Sequence, residues 1–163
     1  MTSGAVRTEW WEPFEPVATF AGVVQVVDPA DLVDLRRRVL RDGRPDLPAS
    51  YPTDDEPSTL HLGLMTPEGT LAGCVTVLED PLPGFASLHL VLMAVDPGLR
   101  RQGVGGALVG AVQGSAETAE RNVWAAARLT ALEFYVALGF AAMGDVFTGA
   151  MDLPHRRVLW RSR

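Results

Sequence analysis

The sequence predicts a single mixed α/β domain with a sheet and helices in layers. Three observations carry this. Short β-branched or apolar runs alternate with segments of helical spacing along the chain. At 163 residues, 47% of them hydrophobic, the chain is the size of one domain and can fill a core without staples. Neither an internal repeat nor a linker-like stretch divides it.

Residues 1–22 form an N-terminal extension to a domain spanning 23–163. The extension holds Trp10, Trp11, Phe14 and Phe20 among prolines, and suits either an extra strand or an arm packed on the body. An aromatic arm can also pack on a second copy of the chain, so a homodimer stays open. Val23–Val27 is β-branched and predicts a strand. Asp28 then suits an N-cap and Pro29 the first helical position, with Asp31 adding negative charge to the first turn. The helix is expected to run to about Leu40, with Leu32, Leu35 and Val39 on one face and Arg36-Arg37-Arg38 on a solvated one.

Asp42–Ser58 is rich in Pro, Asp and Gly and predicts a long loop, a kind of segment that often serves function. Its Asp54-Asp55-Glu56 run is expected to be solvated, or to draw in a cationic amine. Leu60–Met65 and Leu71–Leu78 predict a hairpin, and His61 a structural residue at its start. The turn Asp80-Pro81-Leu82-Pro83-Gly84 leads into Ala86–Val95, a strand so apolar that both faces should be covered. Val104, Ala107, Leu108, Ala111 and Val112 follow helical spacing up to about Ala119. Val123–Ala127 predicts a short strand, and Arg128–Leu138 a helix stopped by Gly139. Phe140–Phe147 and His155–Arg161 close the domain as strands.

Composition narrows the function. The formal net charge of −6 argues against a nucleic-acid partner, which needs clustered positive charge. No apolar stretch reaches the ~20 residues that span a bilayer, and Met1–Trp11 lacks an apolar core of signal-peptide length. A cytoplasmic protein with no membrane partner is therefore expected. The one cysteine, Cys74, provides neither a disulfide framework nor a metal cluster, lies in an apolar run, and reads as a small core residue. No metal site is expected. All 14 basic residues are arginines, so the chain has no side-chain amine of its own to acylate.

The informative stretch is Leu90–Leu108. A buried strand ends at Val95, Asp96-Pro97-Gly98 turns, and Gly103, Gly105 and Gly106 open a helix. A helix start offers unpaired N–H groups and a positive dipole end, which suit a phosphate. Glycines remove the Cβ atoms that would hold a pyrophosphate off the backbone, and Arg100 and Arg101 add charge. A Walker A loop is ruled out, because it needs a lysine. A dinucleotide turn differs in spacing and in its early place in a βαβ unit.

Arg100-Arg101-Gln102-Gly103-Val104-Gly105 resembles the Gln/Arg-x-x-Gly-x-Gly/Ala pattern of the GNAT superfamily of N-acetyltransferases. Leu92–Pro97 is similar to that superfamily's strand before the turn. Ala131-Leu132-Glu133-Phe134-Tyr135-Val136-Ala137-Leu138-Gly139-Phe140 resembles its second signature. The likeness spans roughly Val23–Trp160 and is diffuse before Leu60. It implies a strongly twisted mixed sheet, flanked by helices, whose two central parallel strands, Leu88–Val95 and Val123–Ala127, splay apart around acyl-CoA. It further implies acetyl-CoA as co-substrate, an amine on a small molecule or peptide as acceptor, and direct attack in a ternary complex. Cofactor contacts then fall on Met93, Ala94 and Val95, through the backbone of Met93 and Val95. They also fall on Arg100, Arg101, Gln102, Gly103, Val104, Gly105 and Gly106. Tyr135 would lie near the sulfur and protonate the leaving thiolate.

Two departures matter. Arg128 stands where the family often has asparagine; it suits either a CoA phosphate or a cap at the strand–helix junction. Val91 stands where many members have a glutamate, so no general base is inherited. His89, two residues earlier on the same strand face, is the candidate base, directly or through a water, against a half-buried structural histidine. His155 follows Pro154 in a step similar to one in the ElaA-like branch. The competing class is a non-catalytic acyl-CoA sensor or scaffold with the same fold.

Overall fold

A computed structural model of the protein describes residues 9–163; the start of the N-terminal extension, 1–8, lies outside the described residues. The strands are β1 (Val17–Ala18), β2 (Val23–Val26), β3 (Leu60–Met65), β4 (Leu71–Leu78), β5 (Ser87–Val95), β6 (Asn122–Arg128), β7 (Ala141–Thr148) and β8 (Pro154–Trp160). The helices are α1 (Val33–Leu40), α2 (Val104–Thr118) and α3 (Leu132–Ala137). The sheet order is β1-β2-β3-β4-β5-β6-β8-β7. Within it, β5 and β6 run parallel and the other neighbours antiparallel.

Both faces of the sheet are covered, which explains the unbroken apolar runs of β3 and β4. Alternation sends Val75 and Val77 of β4 into the main core with Val104, Leu108, Val109 and Val112 of α2. It sends Cys74 to the opposite face, against Leu32, Leu35 and Ala94, where α1 packs. Asp28 accepts from the Ala30 N–H at 2.9 Å, so the cap is where the sequence puts it. The first turn, Pro29–Leu32, is nonetheless 3₁₀, and α1 begins at Val33. In the extension, Val17 and Ala18 add a short edge strand to β2. Trp10, Trp11 and Phe14 pack on the core, and the two indole N–H groups donate to the carbonyls of Ser58 and Pro57.

Two expectations about charge are corrected. Arg36 is fully buried rather than solvated, and its partner in the long loop, Asp54, is nearly so at 9% exposure. Arg36 donates from both terminal nitrogens to the Asp54 carboxylate, at 2.7 and 3.2 Å, and to Thr76 Oγ1 at 2.7 Å. His61 closes the ring: its Nε2 donates to the Asp54 carbonyl, so its Nδ1 accepts from the Thr76 hydroxyl. Of the acidic run only the first member, Asp54, is withdrawn from solution, because Arg36 neutralises it inside the fold. Asp55 and Glu56 are exposed. The pairing was invisible in the sequence because α1 and the loop meet only when both lie against β3 and β4.

A third correction concerns β5. Ser87–Leu90 is buried, but Val91–Met93 is only half-buried, since one edge of the strand faces a gap. Parallel pairing with β6 covers only Ser87↔Asn122, Leu88↔Val123 and His89↔Trp124. Beyond His89 an extra residue sits in β5 opposite β4, and Leu92 there has φ +52°. A bulge of this kind bends its strand. Here it follows shortly after β5 leaves β6, and the central strands splay as expected.

Candidate active site

The gap between β5 and β6 opens into a cleft of about 1070 Å³. Its walls are Leu90–Val95 on one strand and Ala125–Arg128 on the other. Past His89 these facing edges have no strand partner, so their backbone groups are open to an extended ligand. At the end of β5, Asp96 Oδ1 accepts from the Gly98 N–H at 3.0 Å and fixes the turn. Arg100, Arg101, Gly103, Val104, Gly105 and Gly106 then line the same cleft. Gly103 caps α2 with φ +80°, a left-handed conformation that glycine adopts without strain. The first N–H groups of α2 face outward from a cap with no side-chain acceptor. Of the turn residues singled out in the sequence, Gln102 is exposed and does not line the cleft.

These features fit a diphosphate joined to an extended arm. The turn offers amides, arginine charge and no side chain in the way: a Cβ on Gly106 would meet nothing within 4 Å. A Cβ on Gly105, by contrast, would come within 3.1 Å of Phe134. That glycine therefore also gives the Phe134 ring of α3 close access to α2.

Tyr135 is buried between Phe134 and Phe140, edge-on to both at 5.1 and 5.3 Å, and lines the cleft. Burial pushes its pKa well above the ordinary tyrosine value, so the hydroxyl keeps its proton. Phe140 is core; Phe134 is half-buried and also lines the cleft.

His89 sits at the vertex of the splay. Its ring stacks on Trp124 with centroids 3.6 Å apart and planes 8° from parallel. Its Nδ1 is 3.1 Å from Asp80 Oδ2, and a carboxylate can only accept. The proton is therefore assigned to Nδ1, leaving a lone pair on Nε2. Burial lowers the His89 pKa, and the Asp80 carboxylate only partly opposes this. The Trp124 indole N–H donates to the Asp80 carbonyl at 2.7 Å, so one tryptophan holds both members of the pair.

The sequence did not single out Asp80, Trp124, Tyr51 or Arg41. The last two line the cleft from the α1–β3 connection. The turn chemistry of Asp80-Pro81 and the parallel register of β5 and β6 were the only signals for the first two. His155 is buried, lines the cleft, and donates from Nδ1 to the Leu153 carbonyl at 2.7 Å. Arg128 also lines it, and its guanidinium reaches the Leu40 carbonyl at 3.3 Å. Among the described residues no His, Cys, Asp and Glu cluster could hold a metal ion, and no helix is long and apolar enough to cross a membrane.

The splayed parallel strands, the glycine and arginine turn, and the tyrosine helix together line one cleft. The chain belongs to the GNAT acetyltransferase family: the family's domain, described as "Acetyltransferase (GNAT) domain", matches residues 53–151, more than half of its length. It is thus an acyltransferase. An acyl-CoA N-acyltransferase from Pseudomonas aeruginosa is similar in structure, with a TM-score of 0.69 and 22% identity over 84% of this chain and 97% of that one. Escherichia coli ElaA gives 0.68 and 18%, over 85% and 99%. An aminoglycoside 6'-N-acetyltransferase complexed with coenzyme A gives 0.62 and 16%, over 85% and 96%. At these identities the likenesses speak for the fold. No curated protein matches the chain in sequence.

Proposed function

We propose that this chain moves an acetyl group from acetyl-CoA to an amine of a small molecule or peptide, by direct attack in a ternary complex. One observation carries the reading: two facing, unpaired strand edges form one cleft with a glycine turn preceded by two arginines. An extended amide-bearing arm ending in a diphosphate has the matching shape and charge. The solved relative complexed with coenzyme A supports the same choice of co-substrate.

In this reading Met93, Ala94 and Val95 pair with the arm, and the amides from Arg101 to Gly106 hold the diphosphate with Arg100 and Arg101. The bound thioester supplies an activated acetyl group. Backbone N–H groups on the open β5 edge hold and polarise its carbonyl. His89 Nε2 takes the proton that the acceptor nitrogen loses as it bonds to the acetyl carbon. Tyr135 gives its hydroxyl proton to the sulfur released when the carbon–sulfur bond breaks. Solvent then carries the proton from His89 back to Tyr135, so one amine hydrogen ends on the thiol. The His89–Asp80 pair favours turnover over a mere acyl-CoA sensor, because a sensor has no use for an oriented base.

Gly106→Glu tests the site. A Cβ there meets nothing in the protein, and the carboxylate puts a negative charge where the diphosphate belongs. Calorimetry is expected to show acetyl-CoA binding weakened by about tenfold or more. Unchanged affinity would sink the assignment. Release of CoA thiol with a panel of amines then separates an enzyme from a sensor.

A further inference from the structure

The protein is acidic overall, yet the cleft is lined by Arg41, Arg100, Arg101 and Arg128 and by no aspartate or glutamate. Two of these arginines belong to the glycine turn. The other two approach from elsewhere: Arg41 from the C-terminal cap of α1, Arg128 from the end of β6. Both donate to one oxygen, the Leu40 carbonyl, at 3.0 and 3.3 Å. Arg41 also donates from Nε to the Pro48 carbonyl at 3.0 Å. Other arginines of the same region have carboxylates: Arg36 has Asp54, Arg38 has Asp34 and Asp96, and Arg44 has Asp46. Arg41 and Arg128 have carbonyl oxygens only.

Two half-buried guanidinium groups held at one carbonyl repel each other. Burial, then the charges of Arg128 and Arg36, lower the Arg41 pKa, which is the electrostatic trace of that crowding. The Leu40 carbonyl accepts from both with its two lone pairs, and these bonds use only part of the donors that two guanidinium groups carry. Each guanidinium keeps donors in the fork geometry that fits a carboxylate. Arg41 opens the loop that carries Tyr51, and Tyr51 lines the cleft together with His89. The pair thus lines the same cleft as the candidate base, from the end of the gap where β6 has left β5.

We propose that Arg41 and Arg128 form an anion subsite for the acceptor, so that the amine acetylated here carries a carboxylate, as an amino acid does. The proposal rests on the acetyl-transfer reading and assigns Arg128 to the acceptor, where the sequence pointed to the cofactor. A cofactor phosphate is the other anion of the same chemistry, and the test separates the two.

The protein and its Arg41→Gln and Arg128→Gln variants, each checked for an unchanged unfolding transition, are compared in two assays. The first is calorimetry with acetyl-CoA. The second is CoA-thiol release with amino acids and with the corresponding amino-acid amides, paired with calorimetric binding of the N-acetyl acids and N-acetyl amides in the presence of CoA. The acids are expected to be preferred over the amides by roughly tenfold or more, in turnover or in product binding. Each variant should erase that preference while acetyl-CoA affinity stays within about twofold. Acids and amides handled alike by the unaltered protein would overturn the subsite. So would variants that lose acetyl-CoA affinity instead, which would give the arginines to a phosphate. Failure of the unaltered protein to bind acetyl-CoA would overturn the acetyl-transfer reading itself, while acid-over-amide binding would still judge the subsite.

Discussion

His89 lies flat on Trp124, 3.6 Å from ring to ring, at the last rung where β5 and β6 remain paired. The parallel register brings these two residues side by side, and the turn after β4 supplies Asp80 to both. Burial lowers the histidine's pKa, so the neutral ring predominates at neutral pH. If His89 is the base, kcat/KM should rise with pH through a value below the ordinary 6.5 and then level off until the acceptor titrates. Asp80→Asn removes the influence that raises this pKa. The acid limb should therefore move to lower pH and the plateau should fall, by roughly tenfold to a hundredfold. An unmoved limb in the Asp80→Asn profile would count against His89.

Tyr135→Phe removes one hydroxyl and keeps the ring between Phe134 and Phe140. Thermal stability should hardly change. The expected kinetic outcome is a fall in kcat of about 10²-fold, with acetyl-CoA affinity little affected. Rates equal to those of the parent across several amines would remove Tyr135 from the chemistry.

Asp54→Asn leaves Arg36 as a buried charge without a counterion. Loss of one member of a buried pair costs about 3–5 kcal/mol, to be read from denaturant melts. The pH dependence has a definite sign. Burial works against the Asp54 carboxylate, but Arg36 and the Tyr51 N–H outweigh it and hold the folded pKa below the unfolded value. That contribution is present above the unfolded pKa and is lost as pH falls through the folded one. The melts should therefore lose stability on acidification more steeply for the parent than for Asp54→Asn.

Cys74 is buried against Leu35 and Ala94, and burial pushes its thiol up to about 11. A thiol reagent should leave it untouched in the native protein and titrate one equivalent only after denaturation. Rapid native-state labelling would show that α1 lifts from the sheet.

What the sequence determined by itself is local. Strand positions, the Asp28 cap, the glycine turn and a helix stopped at Gly139 follow from periodicity and from backbone preferences within a few neighbouring residues, but not the 3₁₀ turns before α1 and α3, nor Arg128, expected to open a helix and found to end β6. Tertiary structure decided how distant segments meet. Arg36 and Asp54 read as solvated charges until α1 and the long loop were pressed together on the sheet, where desolvation makes pairing obligatory. The bulge at Leu92 belongs to the register between two strands and not to either alone. His89 met Trp124, and Arg41 met Arg128, only through the pairing of β5 with β6 and the packing of α1 on the sheet, because contact across long sequence separations depends on the packing of the whole chain.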